Sequence, residues 1–172
     1  MKDTVLFDLD GTLLDRNGSL QKFALWQAKG MLKPSIENVT EFCDRFIQLD
    51  ANGSVWKDKV YSQLIDEFNI EGWSASELLT TYEFCFSGFC KPLPYADLAV
   101  KSLHQKGYKL GVVSNGKSPF QERNLAALDI TTFLDVIVAS EAVGLRKPDL
   151  EIFLYACCKI DSDPKNTILC RG

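Results

Sequence analysis

Apolar residues in this chain switch between two spacings, and the switch points divide it into three stretches. Thr4 to Phe7 is a β-rich run, continuously apolar from Val5 and closed by Asp8. That pattern fits a strand buried on both faces, as in a parallel sheet. Gly11 and Thr12 then read as a turn. Between about Arg16 and Lys91 the spacing is helical. Leu20 to Leu32 predicts one helix, ending near Lys33-Pro34, because the residue before proline is biased away from helix. Val39, Phe42, Phe46 and Leu49 give the face of a second. Trp56, Val60, Tyr61, Leu64, Ile65 and Phe68 recur at three, four and seven and form one apolar stripe. Ser74 with Glu77 three residues on is a capping-box pattern, and Leu78, Leu79, Tyr82, Phe86 and Phe89 continue its helix.

From Leu93 strands and helices alternate. Tyr95 to Lys106 predicts a helix stopped by Gly107, and Lys109 to Val113 a second apolar strand closing on Ser114-Asn115-Gly116. In Ser118-Pro119-Phe120-Gln121 serine reads as the cap, proline as the first turn and glutamine as the end of the box. That helix runs to about Leu128. Asp135 to Ala139 is a third strand, Pro148 to Lys159 a further helix, and Asn166 to Cys170 a fourth strand. Alternation of this kind implies an α/β fold, a parallel sheet with helices on both faces. Ligands of such sheets bind at the carboxyl ends of the strands.

Composition narrows the classes. The 172 residues are 46% hydrophobic and 11% aromatic, enough for a real core and against disorder. A formal net charge of −4, without a cluster of Lys and Arg, argues against a nucleic-acid partner. Asp3, Asp8 and Asp10 interrupt any signal-peptide core, and no uncharged apolar run approaches the roughly 18 residues of a membrane span. A soluble, cytoplasmic protein with no membrane association is the expectation. The cysteines, Cys43, Cys85, Cys90, Cys157, Cys158 and Cys170, form no C-x-x-C pair, and His104 is the only histidine. Zinc and a disulfide framework are therefore not expected, and most of the thiols are read as buried apolar groups.

Three groups of residues fall where a parallel sheet places its ligands. Asp8, Asp10 and Thr12 follow the first strand, Ser114 and Asn115 the second, and Lys147 lies in Gly144-Leu145-Arg146-Lys147-Pro148-Asp149 after the third. A solvated acidic turn is the plainer reading of Asp8 and Asp10. Against it, two carboxylates leaving an apolar strand repel each other unless a cation stands between them. Gly11 also permits close backbone approach, and Thr12 adds a hydroxyl. A helix-loop-helix Ca²⁺ site does not fit, because the glycine is two residues early and Ser19 stands where the twelfth-position Glu belongs.

Asp8-Leu9-Asp10-Gly11-Thr12-Leu13-Leu14-Asp15 resembles the first signature of the haloacid dehalogenase superfamily. Val112-Val113-Ser114-Asn115-Gly116 resembles its second, and Gly144-Leu145-Arg146-Lys147-Pro148-Asp149 its third. The order matches, and the resemblance covers the whole chain. It implies a Rossmann-like three-layer core, residues 1–15 and 91–172, with a small all-helical cap, residues 16–90, inserted after the first strand. It also implies a phosphatase acting on a small phosphorylated metabolite, with Mg²⁺ as cofactor. Asp8 would be the nucleophile and Asp10 the general acid and base, with Asp8 and the Asp10 carbonyl as metal ligands. Thr12, Ser114 and Asn115 would hold phosphoryl oxygens, and Lys147 would offset the gathered negative charge. Dehalogenase-like and phosphonate-cleaving relatives lack the second aspartate, so Asp10 favours phosphate-ester chemistry. In the cap, Trp26, Trp56 and Trp73 read as packing anchors, and Arg45, Lys57 and Lys59 as solvated helix faces.

Relatives in this superfamily carry a fourth signature, a Gly-Asp whose aspartate ligates Mg²⁺. Here Thr167-Ile168-Leu169-Cys170-Arg171-Gly172 occupies that strand, and the aspartate is expected at Gly172 or one residue beyond. The reading favours a chain cut short of its last strand and helix. The alternative is a variant that uses Asp149 or Glu141 as the ligand. Two other functions stay open beside the phosphatase: a weak or dead member that only binds phosphate or a partner, and a phosphosugar mutase.

Overall fold

The computed structural model describes residues 3–33 and 35–172. Pro34, where the pattern ends the first helix, lies outside them. The chain forms two compact units, one of residues 1–16 and 90–172, the other of residues 17–89.

The first unit is built on a parallel sheet of four strands, β1 (Thr4–Phe7), β2 (Lys109–Ser114), β3 (Val136–Ala139) and β4 (Thr167–Cys170), in the order β3-β2-β1-β4. Each strand matches its predicted position to within a residue. In β1, Val5 and Phe7 face one side and Leu6 the other, as side-chain alternation requires. Val5 and Phe7 pack with Leu110 and Val112 against Ala96 and Val100 of α5 (Ala96–Gln105) and Leu125 of α6 (Phe120–Ala126). Leu6, Val113 and Val138 pack on the opposite side against Ile152, Ala156 and Cys157 of α8 (Leu150–Lys159). The result is three layers. Each Val, Leu, Ile or Phe side chain so withdrawn from water contributes about 1.5–3 kcal/mol before ordering costs. Gly111 is required inside β2, since a Cβ there would lie 2.6 Å from Val136 Cγ1 and 2.7 Å from Leu6 Cδ2. A short helix that the pattern does not predict, α7 (Ser140–Val143), follows β3.

The second unit holds α1 from Asn17 onward (helix Arg16–Gly30), α2 (Val39–Asp50), α3 (Lys57–Phe68) and α4 (Ala75–Cys85), with a 3₁₀ turn at Phe86–Phe89. The capping box at Ser74 and Glu77 forms in both directions. Its core is aromatic. Phe23 meets Tyr82 and Phe89 edge-on, with centroids 5.3 and 5.6 Å apart, and Phe46 meets Tyr61 at 5.4 Å.

Three expectations need correction here. Trp56 does not join the apolar stripe: it caps α3 from outside the helix and is 63% exposed. Lys57 is not on a solvated face, because its side chain is buried against Asp50 and lies over the Tyr82 ring. Of the six cysteines, all free, Cys157 alone is fully buried, while Cys158 and Cys170 are exposed. Among the described residues no helix is long and apolar enough to cross a membrane.

Candidate active site

The strand order puts β1 between β2 and β4, so the loops after β1 and β2 leave the sheet side by side at its carboxyl edge. At the end of β1 the backbone coils tightly: the Leu9 carbonyl accepts from the amides of Thr12, Leu13 and Leu14 at 3.2, 3.0 and 2.9 Å. Gly11 sits at φ +76°, a left-handed conformation costly for other residues. This turn puts Asp8 and Asp10 at the same edge.

Asp8 is tied down from three directions. Its amide donates to the Cys170 carbonyl at 2.9 Å, and its Oδ1 accepts from the Leu9 amide at 2.7 Å. The Lys147 Nζ lies 2.6 Å from the same Oδ1. Lys147 also donates to the Val113 carbonyl, 2.9 Å away, so one ammonium joins the ends of β1 and β2. A charge-assisted contact this short is among the stronger polar interactions available to a protein.

The predicted residue Asn115 meets Lys147 rather than open space. Its Oδ1 accepts from the Lys147 amide and its Nδ2 donates to the Lys147 carbonyl, both at 2.9 Å. The side chain is thus a clamp that fixes the lysine backbone. Ser114 behaves differently. It is 2% exposed, and its hydroxyl has no hydrogen-bond partner. An orphaned buried hydroxyl is costly, so a native one invites explanation by an absent ligand.

Asp10 is half-buried, and burial pushes its carboxyl above the ordinary carboxylate range, against the opposing pull of Arg16 and of a hydrogen bond from Gln121. The Gln121 Nε2 donates to Asp10 Oδ2 at 3.1 Å. This overturns the capping-box reading at Ser118: α6 has no side-chain cap, Gln121 points to Asp10, and the Ser118 hydroxyl donates to Glu122. The pattern gave Gln121 only a local role, since a partner 111 positions earlier leaves no mark in local spacing. Cys90 lies near Asp10 as well, and burial first, then the Asp10 charge, push its thiol up to about 12.

Thr12 Oγ1 accepts from the Gly172 amide at 2.8 Å. Gly172 has no room for a side chain, because a Cβ there would strike the Gly11 carbonyl oxygen. Position 172, one of the two where the metal aspartate is expected, thus has no room for an aspartate side chain. Of the two alternative ligands, Glu141 accepts from the Ser118 amide at 2.9 Å. No group of three His, Cys, Asp or Glu side chains placed to hold a metal ion occurs among the described residues. The Asp8 carboxylate and the Asp10 carbonyl remain as hard oxygen donors. They suit Mg²⁺, which is often held by one or two carboxylates, with waters and substrate phosphate completing its shell.

A family model described as "Haloacid dehalogenase-like hydrolase" matches residues 5–170. The chain is 31% identical to the "Putative pyrophosphatase PpaX" of Clostridium perfringens, over 98% of this chain and 74% of that protein. It is 26% identical to the glyceraldehyde 3-phosphate phosphatase of Methanothermobacter thermautotrophicus, over 98% and 76%. A solved structure of a "putative beta-phosphoglucomutase" from Thermotoga maritima superposes with a TM-score of 0.73 at 24% identity, covering 98% of this chain and 75% of that one. This last likeness is one of fold.

Proposed function

The chain belongs to the haloacid dehalogenase-like hydrolases, and from that premise we propose that it hydrolyses phosphoric monoesters of small metabolites through an aspartyl-phosphate on Asp8, with Mg²⁺ as cofactor. The observation that carries this reading is the Asp8–Lys147 pair at the carboxyl edge of the sheet, 2.6 Å apart. It fixes the direction of the Asp8 carboxylate and sets a cation beside it, where an incoming anion would otherwise meet negative charge alone. The phosphatase names of relatives at 31% and 26% identity support the same reaction class.

The Asp8 carboxylate attacks phosphorus in line, forming a carboxyl–phosphate bond as the ester P–O bond breaks. Asp10 gives a proton to the departing alkoxide, which leaves as the alcohol. It then takes a proton from water, which attacks the acyl phosphate and regenerates the Asp8 carboxylate with release of inorganic phosphate. The Ser114 hydroxyl donates to a phosphoryl oxygen and thereby gains the partner it lacks. Thr12 stands at the same turn and serves the same anion. Lys147 offsets the charge of carboxylate and phosphate, and Asn115 keeps it in place through its backbone. Mg²⁺, held by the Asp8 carboxylate and the Asp10 carbonyl, would supply charge screening between nucleophile and substrate. We assign choice of metabolite to the helical unit, residues 17–89, as the family's cap.

The test is phosphate release from an aryl phosphate with and without Mg²⁺, beside Asp8→Asn. The expected result is release that requires both the metal and Asp8. Equal release by the Asp8→Asn protein would remove Asp8 from the nucleophile role. No release by the unaltered chain would point to the weak or dead member.

A further inference from the structure

We propose that Gln121 is the positioning residue for Asp10, holding its carboxylate from α6 in the orientation that proton transfer at the leaving group requires. What Asp10 does rests on the phosphatase reading; how Asp10 is held does not.

Gln121 is 5% exposed, and its Nε2 donates to Asp10 Oδ2 at 3.1 Å, with a longer approach to the Asn115 carbonyl at 3.5 Å. Its Oε1 is buried without a partner. An apolar side chain of the same length would fill the space without the orphaned Oε1, so what the amide adds is its hydrogen bond to Asp10. A local role is also unfilled, because α6 has no side-chain cap. The amide is accounted for by Asp10.

A second position bears out the same arrangement. A Cβ on Gly116 would lie 2.7 Å from Gln121 Cγ and collide with the amide itself. Glycine at 116 therefore opens the path along which the Gln121 side chain reaches across to the β1 loop. The cations near Asp10, Arg16 and Lys147, act on its charge. The Gln121 amide acts on its direction, because a hydrogen bond weakens steeply away from linearity.

The experiment pairs crystal structures with leaving-group dependence for the full chain and two variants, Gln121→Met and Gly116→Ala. Methionine keeps length and bulk but removes the donor. Alanine keeps the donor but pushes it aside. In both variants the Asp10 carboxylate is expected to leave its original orientation while the Asp8–Lys147 contact persists. For an alkyl phosphate, whose alkoxide needs a proton, kcat/KM should fall about 10- to 100-fold, at or below the low end of what general-acid catalysis contributes, because a misdirected acid is still present. For an aryl phosphate with a good leaving group it should fall no more than about threefold, by the same argument. A purely structural role would lower both together. An unmoved Asp10 carboxylate, or parallel losses on the two esters, would overturn the proposal. If the unaltered chain released phosphate from neither ester, the phosphatase reading would fail, and the orientation of Asp10 in the variants would still decide this one.

Discussion

Asp10 and Asp50 are both acids drawn in from solvent, one in each unit, and they are treated differently. Asp50, 1% exposed, is closed by its own surroundings: Lys57 pairs with it, the Gly53 amide donates to it at 2.9 Å, and Lys57 in turn lies over Tyr82. Tyr61, equally buried, donates to Gln27 at 3.1 Å. Among the described residues of that unit, the Gln27 amide nitrogen is the one buried side-chain polar atom without a partner. In the sheet unit Asp10 is held by a neutral amide and keeps a raised pKa, and the neighbouring Ser114 hydroxyl has no partner. Among the described residues the sheet unit thus leaves more buried polar side-chain atoms without a partner than the helical unit, the Ser114 hydroxyl and the Gln121 Oε1 among them. The Ser114 hydroxyl lies at the carboxyl end of β2, where ligands of parallel sheets bind, and the proposed reaction gives it a phosphoryl oxygen as partner.

Substitutions can break this contrast, beginning with the largest effect. Asp8→Asn should lower turnover by about 1,000-fold or more, as removal of a nucleophile does elsewhere, while β1 and β2 keep their amide protection. Loss of that protection in hydrogen exchange would give Asp8 a folding role instead. In the helical unit, Lys57→Met removes the cation that lies against the buried Asp50. Breaking such a pair typically costs about 3–5 kcal/mol. Hydrogen exchange should show protection falling in α2 to α4 and holding in the sheet; a uniform loss would mean the units do not unfold separately.

Ser114→Ala should act in opposite directions on activity and stability. Removing one preorganised donor is expected to lower kcat/KM by about 100-fold. Removing an orphaned buried hydroxyl should stabilise the fold by roughly 1 kcal/mol. A thermal melt showing destabilisation would mean that the hydroxyl already has a partner.

The smallest effect belongs to the exposed pair of Arg45 and Glu67, joined by two contacts of 2.6 Å. Hydrogen bonds from Arg45 and then Gln63 lower the Glu67 carboxyl to about 2 from its ordinary 4.5. A lowered pKa contributes stability above the unfolded value, and that stability is lost as pH falls from 4.5 toward 2. Glu67→Gln should therefore narrow the difference in melting temperature between pH 7 and pH 3 slightly, and less in high salt. A large change would mark this surface pair as structural.

Several features of this protein follow from its sequence alone. The apolar run Val5–Phe7, the 3.6-residue stripe of α3 and the Ser74–Glu77 box are local patterns, and local hydrogen bonding and burial enforce them wherever they occur. The three loops carrying Asp8, Ser114 and Lys147 could likewise be placed at strand ends, because strand and helix alternate in order. Other features were settled only by the tertiary structure. The order β3-β2-β1-β4 brings Gln121 to Asp10 across 111 positions, Asn115 to Lys147 across 32, and the Gly172 amide to Thr12 across 160. Spacing along the chain holds no record of such pairs. Lys57 shows the same limit inside a helix: periodicity allows a lysine a solvated face, and only packing against Asp50 and Tyr82 makes it a buried partner. Periodicity is set by the geometry of one element, while the partner of a polar side chain is set by which elements meet.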